Sequence, residues 1–260
     1  MTTKSNRKAR DERLLVVDDQ AVNRDVAVRL LTRAGFHVSA VAGGSEAIEA
    51  LNSEDYDLVL MDIHMPGMSG IEATAAIRAL PGGRSRVPVV ALTADTLGDL
   101  GDDFEKAGFS AFATKPINRA ALLETVDQLL SEGKVVALEP EGPQNQTASL
   151  DPDTLGTLKK AIGDAAFPAL LDSFISEIHQ QMDSLGPALE SGRLEDVRFG
   201  AHNIKGCAGT VGAQRLRDAA ELLEHAGRDG DASAAASLLA ELEGLSSEAL
   251  EALAKYLKAL

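Results

Sequence analysis

The chain has no tryptophan, two tyrosines and seven phenylalanines in 260 residues. So few aromatics argue against the stacking platforms on which single-stranded nucleic acid is held, and they leave Leu, Val, Ile and Ala to build the core. Cysteine is nearly absent too. Cys207 stands alone, which excludes an internal disulfide framework and suits a reducing compartment. Positive charge is in deficit: the net charge is −15, with −6 on residues 1–133 and −9 on residues 134–260. Neither half offers the clustered Lys and Arg that a polyanionic duplex requires, so no nucleic-acid partner is expected. No apolar run approaches the ~18 residues of a membrane span. The opening MTTKSNRKARDER is basic but has no apolar stretch behind it, so it reads as a solvated tail rather than a secretory signal. A cytoplasmic protein is expected.

From residue 14 the chain alternates short apolar runs with segments of helical spacing. The runs are Leu14–Val17, Phe36–Val41, Leu58–Met61, Val87–Leu92 and Phe109–Ala113; the helical segments are 21–34, 45–52, 70–79, 97–106 and 118–131. Strands alternating with helices predict a doubly wound α/β fold, a five-stranded parallel sheet covered on both faces. Residues 134–150, with two prolines and a Gln-Asn-Gln run, read as a linker. After Asp151 the strand signal vanishes. Helical segments at roughly 151–162, 164–190, 193–210, 213–228 and 232–258, separated by glycine-containing breaks, predict an all-α antiparallel bundle. Asp151-Pro152 has the form of an N-cap followed by proline at the first helical position. The expected domains are therefore 12–133 and 151–260, with no internal repeat.

Polar residues gather at the C-terminal ends of the apolar runs: Asp18 and Asp19 after the first, Asp62 after the third, Thr93 after the fourth and Lys115 after the fifth. In an open α/β sheet these ends share one rim, where ligands bind. Three carboxylates brought together repel unless a cation joins them, and an all-oxygen donor set suits Mg²⁺. A carboxylate also serves as a nucleophile toward phosphorus, with a lysine, a hydroxyl and a metal to offset the charge on the phosphoryl oxygens. Taken singly, each residue has an ordinary explanation as an N-cap, a β-former or a solvated charge. Five of them on one rim do not.

The stretches LLVVDDQAVNR, LVLMDIHMPGMSG, VPVVALTAD and AFATKPI, in that order and spacing, resemble the receiver domain of response regulators, a flavodoxin-like fold. The resemblance implies Asp62 as phosphoacceptor and Asp18 and Asp19 as the acidic pair holding Mg²⁺, with the backbone carbonyl of His64 as a further ligand. It implies that Thr93 and Lys115 engage the phosphoryl group, that Phe112 is the switch aromatic, and that the Lys115–Pro116 bond is cis. The His64 imidazole is expected to be incidental. Within the fourth helical segment, Thr96–Lys106 carries Gly98, Gly101 and three aspartates. Each glycine costs ~1 kcal/mol against alanine in a helix interior, so this helix is expected to be marginal and to change its order on phosphorylation.

In AHNIKGCAGTVGA, residues 201–213, the apolar Ile204, Cys207, Ala208 and Val211 fall on one helical arc, while Lys205, Gly206 and Gly209 follow His202 on its own side. The expectation is an outward-facing His202 beside a lysine, on glycines that let another protein approach. No second His or Cys shares that face, which argues against a metal. The stretch resembles the histidine phosphotransfer (HPt) domain, which implies His202 as the phosphorylated histidine and supporting roles for Lys205 and Gly206.

Together the two resemblances imply a two-component phosphorelay protein, partnered by an upstream histidine kinase and a downstream response regulator receiver. The chain shows no nucleotide-binding loop and no kinase motif set. The alternatives are a phospho-regulated binding module or phosphate sink, and the C-terminal part of a hybrid histidine kinase. The starting Met and basic tail favour a complete chain over the last of these.

Overall fold

The computed structural model describes residues 10–93, 106–132 and 149–260. The chain divides into two compact units, residues 1–140 and 141–260.

In the first unit, β1 (Arg13–Val17), β2 (His37–Val41), β3 (Leu58–Asp62), β4 (Val89–Thr93) and β5 (Ala111–Thr114) form one sheet in the order β2-β1-β3-β4-β5, every pair parallel. Helices α1 (Ala21–Ala34), α2 (Gly44–Ser53), α3 (Gly70–Arg78) and α4 (Arg119–Glu132) pack on its two faces. The alternation along β1 shows how. Leu14 and Val16 pack with Leu31 of α1 and Leu122 and Val126 of α4; Leu15 and Val17 pack with Leu51 of α2 and Ile77 of α3. A strand buried on both faces has no polar side, so LLVV reads as an unbroken apolar run. β4 begins at Val89 rather than Val87, after a 3-10 turn (Gly82–Arg86) and Pro88, which has no N–H to give a ladder. β5 begins at Ala111, after Gly108 turns the chain at φ 85°. Most of the fourth helical segment expected at 97–106, together with the marginal-helix expectation placed on it, lies outside the described residues.

The second unit is helical: α5 (Pro152–Ile162), α6 (Phe167–Glu190), α7 (Leu194–Thr210), α8 (Gln214–Asp229) and α9 (Ala232–Lys258). Asp151 caps α5, its side chain accepting from the backbone N–H groups of Asp153 and Thr154, with Pro152 at the first position. Helix α7 packs against both α6 and α8. Small residues allow it to lie close on each side: a Cβ at Gly200 would meet Leu185 of α6 at 2.8 Å, and one at Gly227 of α8 would meet the Arg198 backbone nitrogen at 2.9 Å. The core includes Phe167, Phe174, Ile178, Val197, Ile204, Leu223 and Leu242.

Candidate functional site

The strand order reverses direction between β1 and β3, and the crevice beyond their C-terminal ends is where an open α/β sheet binds ligands. Asp62 is the last residue of β3, and Asp18 and Asp19 follow β1 directly. Oxygens of all three carboxylates lie within 4.8 Å of one another. Lys115, in the loop after β5, places Nζ 2.5 Å from Asp62 Oδ2 and 2.8 Å from Asp18 Oδ2. Asp18, Asp62, Thr93 and Lys115 are all buried. Thr93 ends β4, one residue past the register partner of Asp62, and its carbonyl accepts from the Lys115 N–H at 2.6 Å. The Lys115–Pro116 bond is cis.

Charge at this rim is unbalanced. Three carboxylates face one ammonium, which leaves two negative charges when all are ionised. Burial, together with Asp62 and Asp19, pushes the Asp18 carboxyl up to about 7 against the pull of Lys115. Burial works against the Lys115 charge, but Asp18 and Asp62 outweigh it and hold the ammonium protonated well above the usual lysine range. An oxygen-only cluster short of two positive charges fits a divalent hard cation such as Mg²⁺.

Two features hold Asp62 in place. The His64 N–H donates to Asp62 Oδ1 at 3.3 Å. Gly70, the first residue of α3, lies against the Asp62 backbone: a Cβ there would sit 2.0 Å from the Asp62 carbonyl oxygen, so no larger residue fits without a shift. Ser69 caps α3, accepting from the Glu72 N–H, and Glu72 Oε2 accepts from the Ser69 N–H at 2.9 Å. Ser69 and Glu72 have the S-x-x-E spacing of a capping box. Phe112 is buried in β5, in a small cluster with Ile63 and Ala91.

The bundle departs from expectation. His202 is not on an outer face: it is 3% exposed, and Lys205 is 2% exposed. The helical wheel gave α7 one apolar stripe and one wet face, but the helix is covered on more than one side, and every residue from Gly200 to Gly209 is buried. What meets the polar side is Glu224 of α8. Glu224 Oε1 lies 2.8 Å from His202 Nδ1, and Glu224 Oε2 lies 2.7 Å from Lys205 Nζ. Glu221 stands 3.8 Å from the same ammonium. Burial alone would raise the Glu224 carboxyl; the hydrogen bond to His202 and the charges of His202 and Lys205 outweigh it and hold it down to about 2. Gly206 lies on α7 one turn beyond His202, also buried. Cys207 is buried as expected.

Residues 14–127 match the response regulator receiver domain, and residues 169–259 match the Hpt domain. The chain belongs to the two-component phosphorelay family. It is a receiver–Hpt fusion, with a five-stranded parallel α/β receiver followed by a helical Hpt bundle. It is similar to the sensory/regulatory protein RpfC of Xanthomonas campestris pv. campestris, 31% identical over 225 residues that cover 84% of this chain and 31% of that protein. The sensor protein GacS of Pseudomonas syringae pv. syringae is 31% identical over 226 residues, 83% of this chain and 24% of that protein. The fusion thus spans less than a third of the length of these curated relatives. Among solved structures, the receiver domain of the sensor histidine kinase PA1611 from Pseudomonas aeruginosa, which holds a coordinated magnesium ion, is 35% identical over 47% of this chain and all of that one, with a TM-score of 0.43. Among the described residues of the fusion, no helix is long and apolar enough to cross a membrane.

Proposed function

We propose that the receiver, residues 12–133, accepts a phosphoryl group on Asp62 with Mg²⁺, and that the Hpt domain, residues 151–260, carries one on His202 between aspartyl receivers. The observation supporting this most directly is the convergence of Asp18, Asp19, Asp62 and Lys115 on one rim with a shortfall of positive charge. Asp18, Asp19, Asp62 and the His64 backbone carbonyl are the ligands we assign to the metal, which supplies positive charge against the phosphoryl oxygens when bound. An Asp62 carboxylate oxygen attacks the phosphorus of a phosphohistidine, the P–O bond forms as the P–N bond breaks, and the electron pair returns to the imidazole nitrogen. Lys115 then pairs with a phosphoryl oxygen and Thr93 donates its hydroxyl to another. Phe112 is the switch aromatic that responds to Thr93.

In the bundle, Glu224 accepts from Nδ1–H of His202. This fixes the tautomer and assigns attack on phosphorus to Nε2. Lys205 offsets the phosphoryl charge, and Gly206 keeps the neighbouring turn slim. Since His202 is buried, transfer requires an opening that brings the ring to its partner. The partners on this reading are an upstream histidine kinase and a downstream response regulator receiver, in the cytoplasm.

Burial of His202 is the one observation favouring a second reading, in which the receiver alone is phosphorylated and regulates docking. Phosphorylation with a small phosphodonor and Mg²⁺, in wild type, Asp62→Asn and His202→Ala, separates the two. Label on His202 that vanishes in Asp62→Asn supports relay through this chain. Label on Asp62 alone leaves His202 to a receiver in trans. No label on either residue overturns the phosphotransfer reading.

A further inference from the structure

Arg24 lies one turn into α1, half-buried, and makes no ion pair among the described residues. A guanidinium ordinarily seeks a carboxylate. Here Nη1 donates to two consecutive main-chain oxygens, the carbonyls of Asp18 at 2.5 Å and Asp19 at 3.1 Å. The same loop is tied elsewhere. The Asp18 N–H donates to the Val41 carbonyl of β2, the Gln20 N–H donates to Asp18 Oδ1 at 2.9 Å, and Asn23 Nδ2 donates to Gln20 Oε1 at 2.7 Å. Gln20 and Asn23 are buried.

We propose that Arg24 is a positioning residue for the divalent-cation site: by gripping both carbonyls it sets the peptide planes from which the Asp18 and Asp19 carboxylates project toward Asp62. The proposal rests on the reading that those three carboxylates hold Mg²⁺. Its charge gives the test a sign. Arg24 is a cation near a cation site, so by charge alone its removal would tighten Mg²⁺ binding. As a positioning residue, its removal weakens binding.

The experiment is a calorimetric Mg²⁺ titration of the full chain as wild type, Arg24→Ala, Arg24→Lys and Asp19→Asn, with hydrogen exchange at the amides of residues 18–20 read in parallel. Partners that orient ligands typically carry ~10-fold or more in metal affinity. The expected result is a Kd raised about tenfold in Arg24→Ala, intermediate in Arg24→Lys, with faster exchange at residues 18–20 in Arg24→Ala. Wild-type or tighter affinity in a folded Arg24→Ala chain overturns the proposal and leaves the metal reading standing. If Arg24→Ala does not fold, Arg24→Lys decides, and an unchanged Kd there overturns it. Wild type that does not bind Mg²⁺, or binding undiminished in Asp19→Asn, overturns the metal reading and this proposal with it.

Discussion

In the receiver, Lys115 stands between Asp18 and Asp62 with Asp19 close by; in the Hpt bundle, Lys205 and His202 share one carboxylate, Glu224. Each unit thus pairs its proposed phosphoacceptor with a buried lysine, but the balance is opposite. The receiver rim has acids in excess, and burial pushes Asp18 up because no neighbour fully offsets its charge. The bundle site has bases enough to hold Glu224 far below the usual carboxylate range. One site carries an excess of negative charge, and the other holds its carboxylate between two bases. On the proposed reading, the receiver has room for a metal beside Lys115 to offset phosphoryl charge, while the bundle has Lys205 alone for that task and contributes an oriented nitrogen.

The largest effect should come from Mg²⁺, and only on one side of the comparison. At a concentration about 1,000 times its Kd, a ligand that binds only the folded state adds about 4.1 kcal/mol to stability. Hydrogen exchange resolved by segment should show slower opening of β1, β3 and β4 on adding Mg²⁺, reversed by chelator, with α7 and α8 unchanged. Equal protection of both units would break the comparison. Chelation should also abolish labelling of Asp62.

Next in size is the loss of the carboxylate that closes the bundle site. Glu224→Ala leaves His202 and Lys205 buried without their shared partner, and breaking a buried pair by removing one side typically costs about 3 kcal/mol. Urea unfolding followed at bundle amides should show that loss. Glu224→Gln should lose less, because the amide oxygen still accepts from Nδ1–H. A Glu224→Ala chain as stable as wild type would mean that the three groups are solvated rather than closed together.

The two sites differ in how far the sequence disclosed them. Asp18, Asp62, Thr93 and Lys115 were legible because each follows or ends an apolar run, and a parallel sheet sends every strand end to the same rim. Cross-helix packing has no such rule. The wheel for α7 placed Ile204, Cys207 and Ala208 on an arc away from His202, but it could not show that Glu224 of α8 meets the polar side. Glu224 looked like one more charge in ELLEHAG. Yet Ala220, Glu224 and Gly227 recur at i, i+4 and i+7, on the buried stripe of α8. A lone carboxylate in that stripe was the available signal that a buried base faces it. Arg24 gave no such signal, since its partners are backbone oxygens.

The smallest effect is the pH dependence that Glu224 gives the bundle. Its folded-state carboxyl is held at about 2, below its ordinary value of 4.5. A depressed carboxylate contributes stability that is fully present above the unfolded value and is lost as the pH falls toward the folded one. The window is therefore pH 4.5 down to about 2, with no change expected between pH 7 and pH 5 from this group. One pH unit across that window corresponds to roughly 1 kcal/mol. Other carboxylates titrate there too, so the quantity to measure is the stability difference between wild type and Glu224→Gln at pH 6, 4 and 3. The difference should already be smaller at pH 4 than at pH 6, and should shrink by roughly a further 1 kcal/mol between pH 4 and pH 3. Parallel curves would show that His202 and Lys205 do not hold the Glu224 charge, and the bundle site would then be no more closed than the receiver rim.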